Sequence, residues 1–286
     1  MLSVIICTSP GRESNLDAAL ACVLHQSYPA KEIIVVDDGS QQGERVVAHH
    51  QRQHAVPLHY LWRENDCCVA RSRNLAAAQA TTPWLVFLDA DMLLNPRGLE
   101  SYAAYLNDFP TQAIYGYFGY QLNYLAPSYL VPGREVLWCD RRFVRYTPQE
   151  LIPAPNMLRY PHEWAWSGNF AIHQKTYRKA NGFDERFKGW GGEDLDFAWR
   201  LRQQQVEIHF LLDAWAEQQT HTRQEVFHKR SSAHLYSHHY IEPDDYKPQV
   251  RFSPKGNARL CRVVFSHYVP QGNPQETKGF QPHIGI

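Results

Sequence analysis

The sequence predicts an α/β protein built on an open, mainly parallel sheet with helices on both faces. Short apolar runs alternate with helix-like segments through the first hundred residues. One of these runs, residues 32–36, is β-branched and almost continuously apolar, as expected of a parallel strand that is covered on both faces. Two of the runs end abruptly at acidic residues. Sheets of this kind bind their ligands at the carboxyl ends of the strands, so these acids indicate where a site would lie.

The elements of the first hundred residues follow one another in strand–helix order. Residues 2–7 form a short apolar run typical of a strand, and Ser14 is placed to cap a helix whose apolar residues recur at helical spacing. The later predictions are a strand at 32–36, a polar helix at 42–54, a strand at 58–62, an alanine-rich helix at 69–80 and a strand at 84–88.

The pattern loosens after residue 101. A proline-rich, loop-like stretch covers residues 132–161. The elements predicted beyond it are a strand at 166–173, helices at 175–180 and 193–205, and a strand at 206–211. From residue 241 onward the chain is rich in Pro, Gly and Gln around one apolar island.

Composition excludes several classes of protein. The 286 residues are 44% apolar, enough for a sizeable core, and 29 basic against 29 acidic residues create no field that would attract nucleic acid. No apolar run is long enough to cross a bilayer, and the N-terminal stretch lacks the features of a signal peptide. Six scattered cysteines show no metal-site spacing. The expected location is therefore the cytoplasm, with the inner face of the membrane as an alternative, and the oligomeric state is left open.

Asp89 and Asp91 directly follow the apolar run at 84–88. In an extended segment residues i and i+2 face the same way, so both carboxylates can converge on one point. Two carboxylates that close repel each other unless a cation or a proton lies between them, and hard oxygen ligands suit Mg²⁺ or Mn²⁺. The alternative is a surface turn with two solvated acids. The buried strand in front of the pair favours the metal site.

Asp37 and Asp38 end the other acidic strand, before Gly39 and Ser40. A carboxylate at this position can accept a hydrogen bond from a ribose hydroxyl or a base N–H. The alternative is an ordinary Asp-Gly turn. The sequence contains neither a G-x-G-x-x-G loop nor a Walker A loop, so a nucleotide bound here would hold its diphosphate through a metal.

Three glycines and Trp190 precede three acids, Glu193, Asp194 and Asp196, in the segment 189–201. Acids in the first turn favour the positive end of a helix dipole, so a plain helix N-terminus is one interpretation. The other is a loop that closes over the substrates and presents a catalytic carboxylate. The two interpretations do not exclude each other, and the acidic pair upstream favours the catalytic one.

Two further segments have two interpretations each. The aromatic stretch at 114–129 suits a platform for a carbohydrate acceptor, and it suits packed core equally well. The basic segment at 228–240 suits contact with a donor diphosphate or with a lipid-linked acceptor at a membrane surface, and the commoner outcome for such a segment is a solvated helix face.

In their order and spacing, these motifs resemble the family 2 glycosyltransferases of the GT-A fold. The stretches SVIICTS, EIIVVDDGS, ARSRNLAAAQA and WLVFLDAD are similar to the nucleotide-sugar half of that family. NGFDERFKGWGGEDLDFAWRL is similar to the acceptor-side motif shared with the β-1,4-galactosyltransferases. The resemblance implies one Rossmann-like GT-A domain, with a nucleotide-sugar-binding half at 1–100, an acceptor-binding and catalytic half at 101–235, and a C-terminal extension at 236–286.

The resemblance implies an inverting, metal-dependent glycosyltransferase of polysaccharide or glycoconjugate biosynthesis. The expected partners are a nucleotide-diphosphate sugar (a UDP-sugar by preference), Mn²⁺ or Mg²⁺, and the hydroxyl of a carbohydrate, glycolipid or glycoconjugate acceptor. Peripheral membrane association is a further option, and no nucleic acid is expected. One alternative is a sugar nucleotidyltransferase, which should carry a Gly-rich first loop where this chain has TSPGRESN. The other is a non-catalytic carbohydrate-binding relative, which should have lost at least one of the acids.

The resemblance also implies residue roles. Asp194 would be the general base, with Glu193 beside it. The nucleotide-sugar contacts would come from Thr8, Asp38, Asp89 and Arg73, with Arg71 as the rival of Arg73. The metal would be held by Asp91, Asp89 and His221, for which His228 and His234 compete. The acceptor contacts would come from Trp190, Gly191, Gly192 and Trp166.

The sequence departs from the family pattern in two places. TSPGRES replaces the usual Asn-Arg type of loop after the first strand, and DDGSQQGE lacks the common Thr-Asp after the serine.

Overall fold

A computed structural model describes residues 1–40, 42–119, 143–147, 150–153, 161–189 and 191–220 of the chain. The strands in these ranges are β1 (Leu2–Thr8), β2 (Glu32–Asp38), β3 (Leu58–Arg63), β4 (Trp84–Asp89), β5 (Met92–Leu94), β6 (Ala113–Gly119), β7 (Phe143–Thr147), β8 (Glu150–Pro153), β9 (Asn169–His173) and β10 (Ile208–Gln218). The helices are α1 (Glu13–Leu24), α2 (Gly43–Gln51), α3 (Val69–Gln79), α4 (Gly98–Asp108), α5 (Gln174–Lys179) and α6 (Glu193–Gln203).

The strands and helices predicted from the sequence within these ranges are present. The predicted cap of α1 is wrong: Arg12 is the N-cap residue and makes no side-chain cap hydrogen bond, and Ser14 lies inside the helix. The elements that local periodicity did not predict are β5, α4, β6, β7 and β8.

Eight of the described strands form one sheet in the order β3-β2-β1-β4-β9-β6-β10-β5, and β7 pairs with β8 separately. Strands β1 to β4 are mutually parallel, and β6 and β10 run in the same direction. Only β9 and β5, among these eight, run the opposite way. The prediction of an open, mainly parallel sheet is thus confirmed. Because β5 pairs with β10, the first hundred residues and the later ones share this sheet.

The core lies in two layers, one on each face of the sheet. Alternate strand residues point to opposite faces, so Val4 and Ile6 pack on α1, α2 and α4, whereas Ile5 packs on the side of α3, α5 and α6. Tyr115, the first ring of the aromatic stretch at 114–129, is fully buried and stacks on Phe170 at 5.1 Å between ring centroids. This ring therefore belongs to the core, and residues 120–129 lie outside the described residues.

The register of the sheet brings the predicted site residues together at the carboxyl ends of neighbouring strands. Thr8 pairs with Asp37, Cys7 pairs with Asp89, and Asp38 pairs with Arg63. Each of these pairs stands at the carboxyl end of its strands, where ligands of such sheets bind. Among the described residues, none of the helices has both the length and the apolar character needed to cross a bilayer.

Candidate active site

The two acids that end β2 differ in their surroundings. Asp37 is fully buried and accepts hydrogen bonds from the Ser40 amide at 2.7 Å and the Tyr60 hydroxyl at 2.9 Å, so it holds the turn together. Asp38 instead forms an ion pair with Arg63. Burial raises the pKa of Asp38 to about 6, although Arg63 opposes the rise. Asp38 is therefore the acid of this pair that is not committed to holding the turn.

Thr8 lies beside these acids at the end of β1. Its hydroxyl is buried and has no hydrogen-bond partner among the described residues. Burying a hydroxyl without a hydrogen-bond partner costs free energy. Such a group at the carboxyl end of a strand therefore suits contact with a ligand.

Asp89 is the last residue of β4 and Asp91 directly precedes β5, and the two acids face different neighbours. The Asp89 amide donates to the Gly168 carbonyl at 3.0 Å, and its Oδ1 accepts from Arg73 at 3.0 Å. Asp91 is buried, and its Oδ2 lies 3.6 Å from an Arg12 nitrogen. The same oxygen accepts a hydrogen bond from the side-chain amide of Gln218 at 3.4 Å. The end of β10 thereby holds the second acid of the pair.

Two observations bear on a metal at this acidic pair. Asp89 Oδ2 accepts no hydrogen bond from the described residues, and a Cβ at Gly168 would lie 3.2 Å from it, so glycine keeps this oxygen approachable. Within the described ranges no three His, Cys, Asp or Glu side chains are grouped as a metal site. The third predicted ligand, His221, lies outside those ranges, as do His228 and His234. The carboxylate pair fits Mg²⁺ or Mn²⁺ in its donor atoms.

Arg73 joins the two acidic segments. Its guanidinium donates to Asp89 Oδ1 and to Glu193 Oε1, both at 3.0 Å, and lies 5.0 Å from the centre of the Phe183 ring. The side chains of Arg73 and Glu193 are buried, and that of Asp89 is 38% exposed. Behind them lies the Cys7 thiol, whose pKa burial raises to about 12. Asp89, at the end of β4, and Glu193, at the start of α6, are therefore joined through one guanidinium.

The rival arginine faces elsewhere. Arg71 pairs with Asp66 and donates to Glu185 at 2.8 Å, and its side chain is half exposed. Of the two arginines proposed for the nucleotide, only Arg73 contacts the predicted acids.

The start of α6 depends on glycine. Gly189, Gly191 and Gly192 have φ of 76°, 82° and 98°, a left-handed region that side chains with a Cβ rarely adopt. Gly192 is the N-cap residue, so both Glu193 and Asp194 lie in the first turn of the helix. This explains why the sequence places glycines directly before the acids.

The three acids in this first turn have different roles in the structure. Asp196 is buried and forms an ion pair with Arg200 at 2.8 Å one turn along the helix. Glu193 is held by Arg73. Asp194 is half-buried and accepts from the Leu195 amide at 2.8 Å. Burial and the neighbouring Glu193 raise the pKa of Asp194 to about 7, against the opposing effect of Arg73. A carboxylate with this proton affinity suits a general base at neutral pH.

The predicted acceptor residues are only partly placed. Trp190 lies outside the described residues. A Cβ at Gly191 would meet no atom within 4 Å, so this glycine borders open space. Trp166 packs against Trp164 with ring centroids 5.7 Å apart, two residues before the glycine that contacts Asp89. The segment that carries Trp166 thus reaches Asp89, and the segment that carries Gly191 leads to Glu193.

The structure adds charged residues that sequence reasoning did not single out. Asp66 forms ion pairs with Arg63, three residues before it, and with Lys188. Lys188 lies 122 residues from Asp66 along the chain, so no local spacing in the sequence indicated that pair.

Two sequence families match the chain. The model of glycosyl transferase family 2 matches residues 3–160, and that described as the N-terminal domain of galactosyltransferase matches residues 152–229. The second match covers the glycine-rich segment and the acids that begin α6.

Similar curated proteins are glycosyltransferases and polysaccharide synthases. Validoxylamine A glucosyltransferase of Streptomyces hygroscopicus subsp. limoneus is 28% identical over 243 residues, covering 78% of this chain and 52% of that protein. Hyaluronan synthase of Pasteurella multocida is 28% identical over 224 residues, covering 70% of this chain and 22% of that protein. The chain thus spans about half the length of the glucosyltransferase and less than a quarter of the synthase.

Similar solved structures show the fold. S. aureus TarS 1–349 in complex with UDP-GlcNAc has a TM-score of 0.57 at 19% identity, covering 79% of this chain and 60% of that one. The mannosyltransferase PcManGT of Pyrobaculum calidifontis, in complex with GDP-Man and Mn²⁺, has a TM-score of 0.55 at 17% identity, covering 80% and 59%. The chain has the GT-A fold that its sequence predicted. With a family model matching more than half of its length, the chain belongs to glycosyl transferase family 2.

Proposed function

We propose that this chain is an inverting, metal-dependent glycosyltransferase that moves a sugar from a nucleotide-diphosphate sugar to an acceptor hydroxyl. The observation that carries the proposal is the double contact of Arg73 with Asp89 and Glu193. Glycosyl transfer needs the donor-binding group and the proton acceptor within reach of one sugar ring. An arginine that bonds both acidic segments supports this arrangement.

Asp194 is the proposed general base. The acceptor hydroxyl attacks the anomeric carbon from the face opposite the leaving diphosphate, and Asp194 takes the hydroxyl proton as the new glycosidic bond forms. The raised pKa of Asp194 supports this role, because a base works best when its pKa is near the working pH. Glu193, held by Arg73, orients the first turn of α6.

The donor is proposed to bind across the carboxyl ends of β1, β2 and β4. Thr8 offers its unpartnered hydroxyl to the nucleoside, and Asp38, steadied by Arg63, accepts from it. Asp89 and Asp91 would hold Mn²⁺ or Mg²⁺, with His221 proposed as a further ligand. When bound, the ion neutralises charge that builds on the departing diphosphate.

The proposed acceptor is the hydroxyl of a carbohydrate, glycolipid or glycoconjugate. Trp166, Trp190 and Gly192 are proposed to contact the sugar, the two tryptophans through their flat rings, and Gly191 borders open space. A UDP-sugar is the preferred donor, supported by the complex of TarS with UDP-GlcNAc. Because PcManGT forms a complex with GDP-Man, GDP-sugars are the donor class to compare with UDP-sugars.

A thermal-shift experiment tests the donor. UDP-, GDP- and dTDP-sugars are each added with and without Mn²⁺, and the Tm is measured. A ligand at one hundred times its Kd stabilises the folded state by about 2.7 kcal/mol, so a true donor gives a clear rise. We expect the largest rise with a UDP-sugar and Mn²⁺ together. A Tm unchanged by all three classes would contradict the proposal, and anomeric NMR of the product would separate inversion from retention.

Removal of divalent metal should abolish transfer. We expect EDTA to lower the rate at least about 100-fold and Mn²⁺ or Mg²⁺ to restore it, because several kcal/mol of charge stabilisation on the diphosphate is lost without the ion. The rate is measured by release of the nucleotide diphosphate. Full activity in EDTA, after dialysis against metal-free buffer, would show that the acidic pair does not work through a metal.

Gly168→Ala should weaken the binding of metal and donor without unfolding the protein. The added Cβ would lie 3.2 Å from Asp89 Oδ2 and 3.0 Å from Met92 Cε. A displacement of a few tenths of an ångström at the acid should raise the Mn²⁺ concentration for half-maximal activity about three- to tenfold. Metal titrations of both proteins measure this change. A half-maximal concentration equal to that of the wild type would show that Asp89 Oδ2 is not a ligand atom.

A further inference from the structure

A cluster of charges next to Asp38 is left unexplained by the proposed chemistry. Asp66, in the loop between β3 and α3, bonds three cations: Arg63 through Oδ1, and Arg71 and Lys188 through Oδ2. The Lys188 contact is 2.5 Å. We call these four residues the Asp66 cluster.

The cations of the Asp66 cluster come from two distant parts of the chain. Arg63 ends β3 and also pairs with Asp38, the acid proposed to contact the nucleoside. Lys188 directly precedes Gly189, at the start of the glycine-rich segment. Asp66 therefore links the proposed nucleoside site to the segment that leads to the catalytic acids.

A backbone contact reinforces this link. The Gly189 amide donates to the Cys67 carbonyl at 2.7 Å. Cys67 has an uncommon φ of 59°, and its amide donates to the Asn65 side chain at 2.8 Å, which fixes the loop that carries Asp66. The glycine-rich segment is thus anchored at its start by Asp66 and Cys67.

The other end of the segment is anchored by the contact of Arg73 with Glu193. Between the two anchors lie only residues 189–192, and the three glycines described there have left-handed φ. A Cβ at Gly191 would meet no atom within 4 Å, so Gly191 borders open space. Helix α6 itself is held by the core packing of Phe197 and Leu201, so the anchors act on the segment directly in front of Asp194.

We propose that Asp66 and Lys188 are positioning residues, whose ion pair holds the glycine-rich segment beside Asp194, where the acceptor is proposed to bind. This inference rests on the proposed role of Asp194 in glycosyl transfer. The side chains of Asp66 and Lys188 are 29% and 35% exposed. Partly exposed pairs contribute little to overall stability, so the effect of losing this one should fall on catalysis rather than on folding.

Three variants test the inference. Lys188→Met keeps the stem and removes the charge, Lys188→Arg keeps the charge, and Arg186→Met removes a nearby charge whose side chain is 80% exposed. We expect Lys188→Met to lower kcat about tenfold with a donor KM within about twofold of the wild type, because a small misplacement of the acceptor relative to the base is costly. Lys188→Arg should recover most of kcat, and Arg186→Met should match the wild type. Wild-type kcat in Lys188→Met, or equal losses in Lys188→Met and Lys188→Arg, would overturn the inference.

A second measurement needs no substrate. Amide hydrogen exchange of the free protein reports the Gly189 hydrogen bond, and we expect exchange there to be about tenfold faster in Lys188→Met than in Arg186→Met. Equal exchange in these two variants would show that the Asp66–Lys188 pair does not hold Gly189 in place. If the wild type transfers no sugar from any donor, the proposed function fails, and the exchange result still decides whether Asp66 and Lys188 hold the segment.

Discussion

Asp194→Asn should lower kcat for glycosyl transfer by about 10²–10⁴-fold, because asparagine keeps the shape of the side chain and cannot accept a proton. The donor KM should change little, since the donor is proposed to bind along β1, β2 and β4. Steady-state kinetics with the donor found by thermal shift measure both values. A kcat within threefold of the wild type would remove Asp194 from the mechanism.

Asp196→Asn is the matched control, with the same substitution in the same turn of α6. Its partner is Arg200 at 2.8 Å, away from Arg73 and Asp89. We expect this variant to lose stability, because Asp196 is buried, and to keep kcat within about threefold of the wild type. The contrast between the two variants separates a chemical effect from a general weakening of the helix start.

The pH dependence should identify the same carboxylate. Burial and Glu193 raise the pKa of Asp194 to about 7, and only the ionised form accepts a proton. The kcat of the wild type should therefore rise as the pH increases through about 7 and then level off. The residual activity of Asp194→Asn should lack this rise. If the variant keeps the rise in kcat, the rise belongs to the titration of another group.

Stability should respond to pH with the matching sign. A raised carboxyl pKa means that the folded state binds the proton more tightly than the unfolded chain, whose Asp pKa is about 3.9. The stability from this proton is fully present below the unfolded pKa and is lost as the pH rises through about 7. Asp194→Asn should accordingly have a Tm at least equal to that of the wild type at pH 8.

Arg73→Met should be the most destabilising of the substitutions considered. Arg73 is buried between Asp89 and Glu193, and removing it leaves the buried Glu193 carboxylate without its cation. Breaking a buried pair from one side costs about 3–5 kcal/mol. At roughly 2–4 °C of Tm per kcal/mol for a domain of this size, the Tm should fall by roughly 6–20 °C. Transfer should also be lost below the new Tm, because the two acidic segments are no longer joined.

Arg71→Met gives the stability control, two residues away on α3. Arg71 is half exposed and its ion pairs are at the surface, so its loss should cost less than about 1 kcal/mol. If the two variants lowered the Tm equally, Arg73 would not be the buried link between Asp89 and Glu193.

The choice between these two arginines shows where sequence reasoning stopped. Residues two apart on a helix are separated by about 200° around its axis, so one faces inward when the other faces outward. The sequence ARSRN contains both arginines and does not state which face of α3 is covered. Packing of α3 on β1 and β2 turns Arg73 toward Asp89 and leaves Arg71 half exposed. The same applies to Asp37 and Asp38, since neighbouring strand residues point to opposite faces.

The sequence by itself determined the alternation of strands and helices up to residue 89 and the acids at two strand ends. Periodicity is a local property, and parallel strands bring their carboxyl ends to one edge whatever the rest of the chain does. Only the tertiary structure decided the contacts of Arg73 and of Asp66. Their partners lie 120 and 122 residues away along the chain, at Glu193 and Lys188. Contacts of that range depend on β9 entering the sheet antiparallel to β4 and on β10 returning beside β6, which no local pattern encodes.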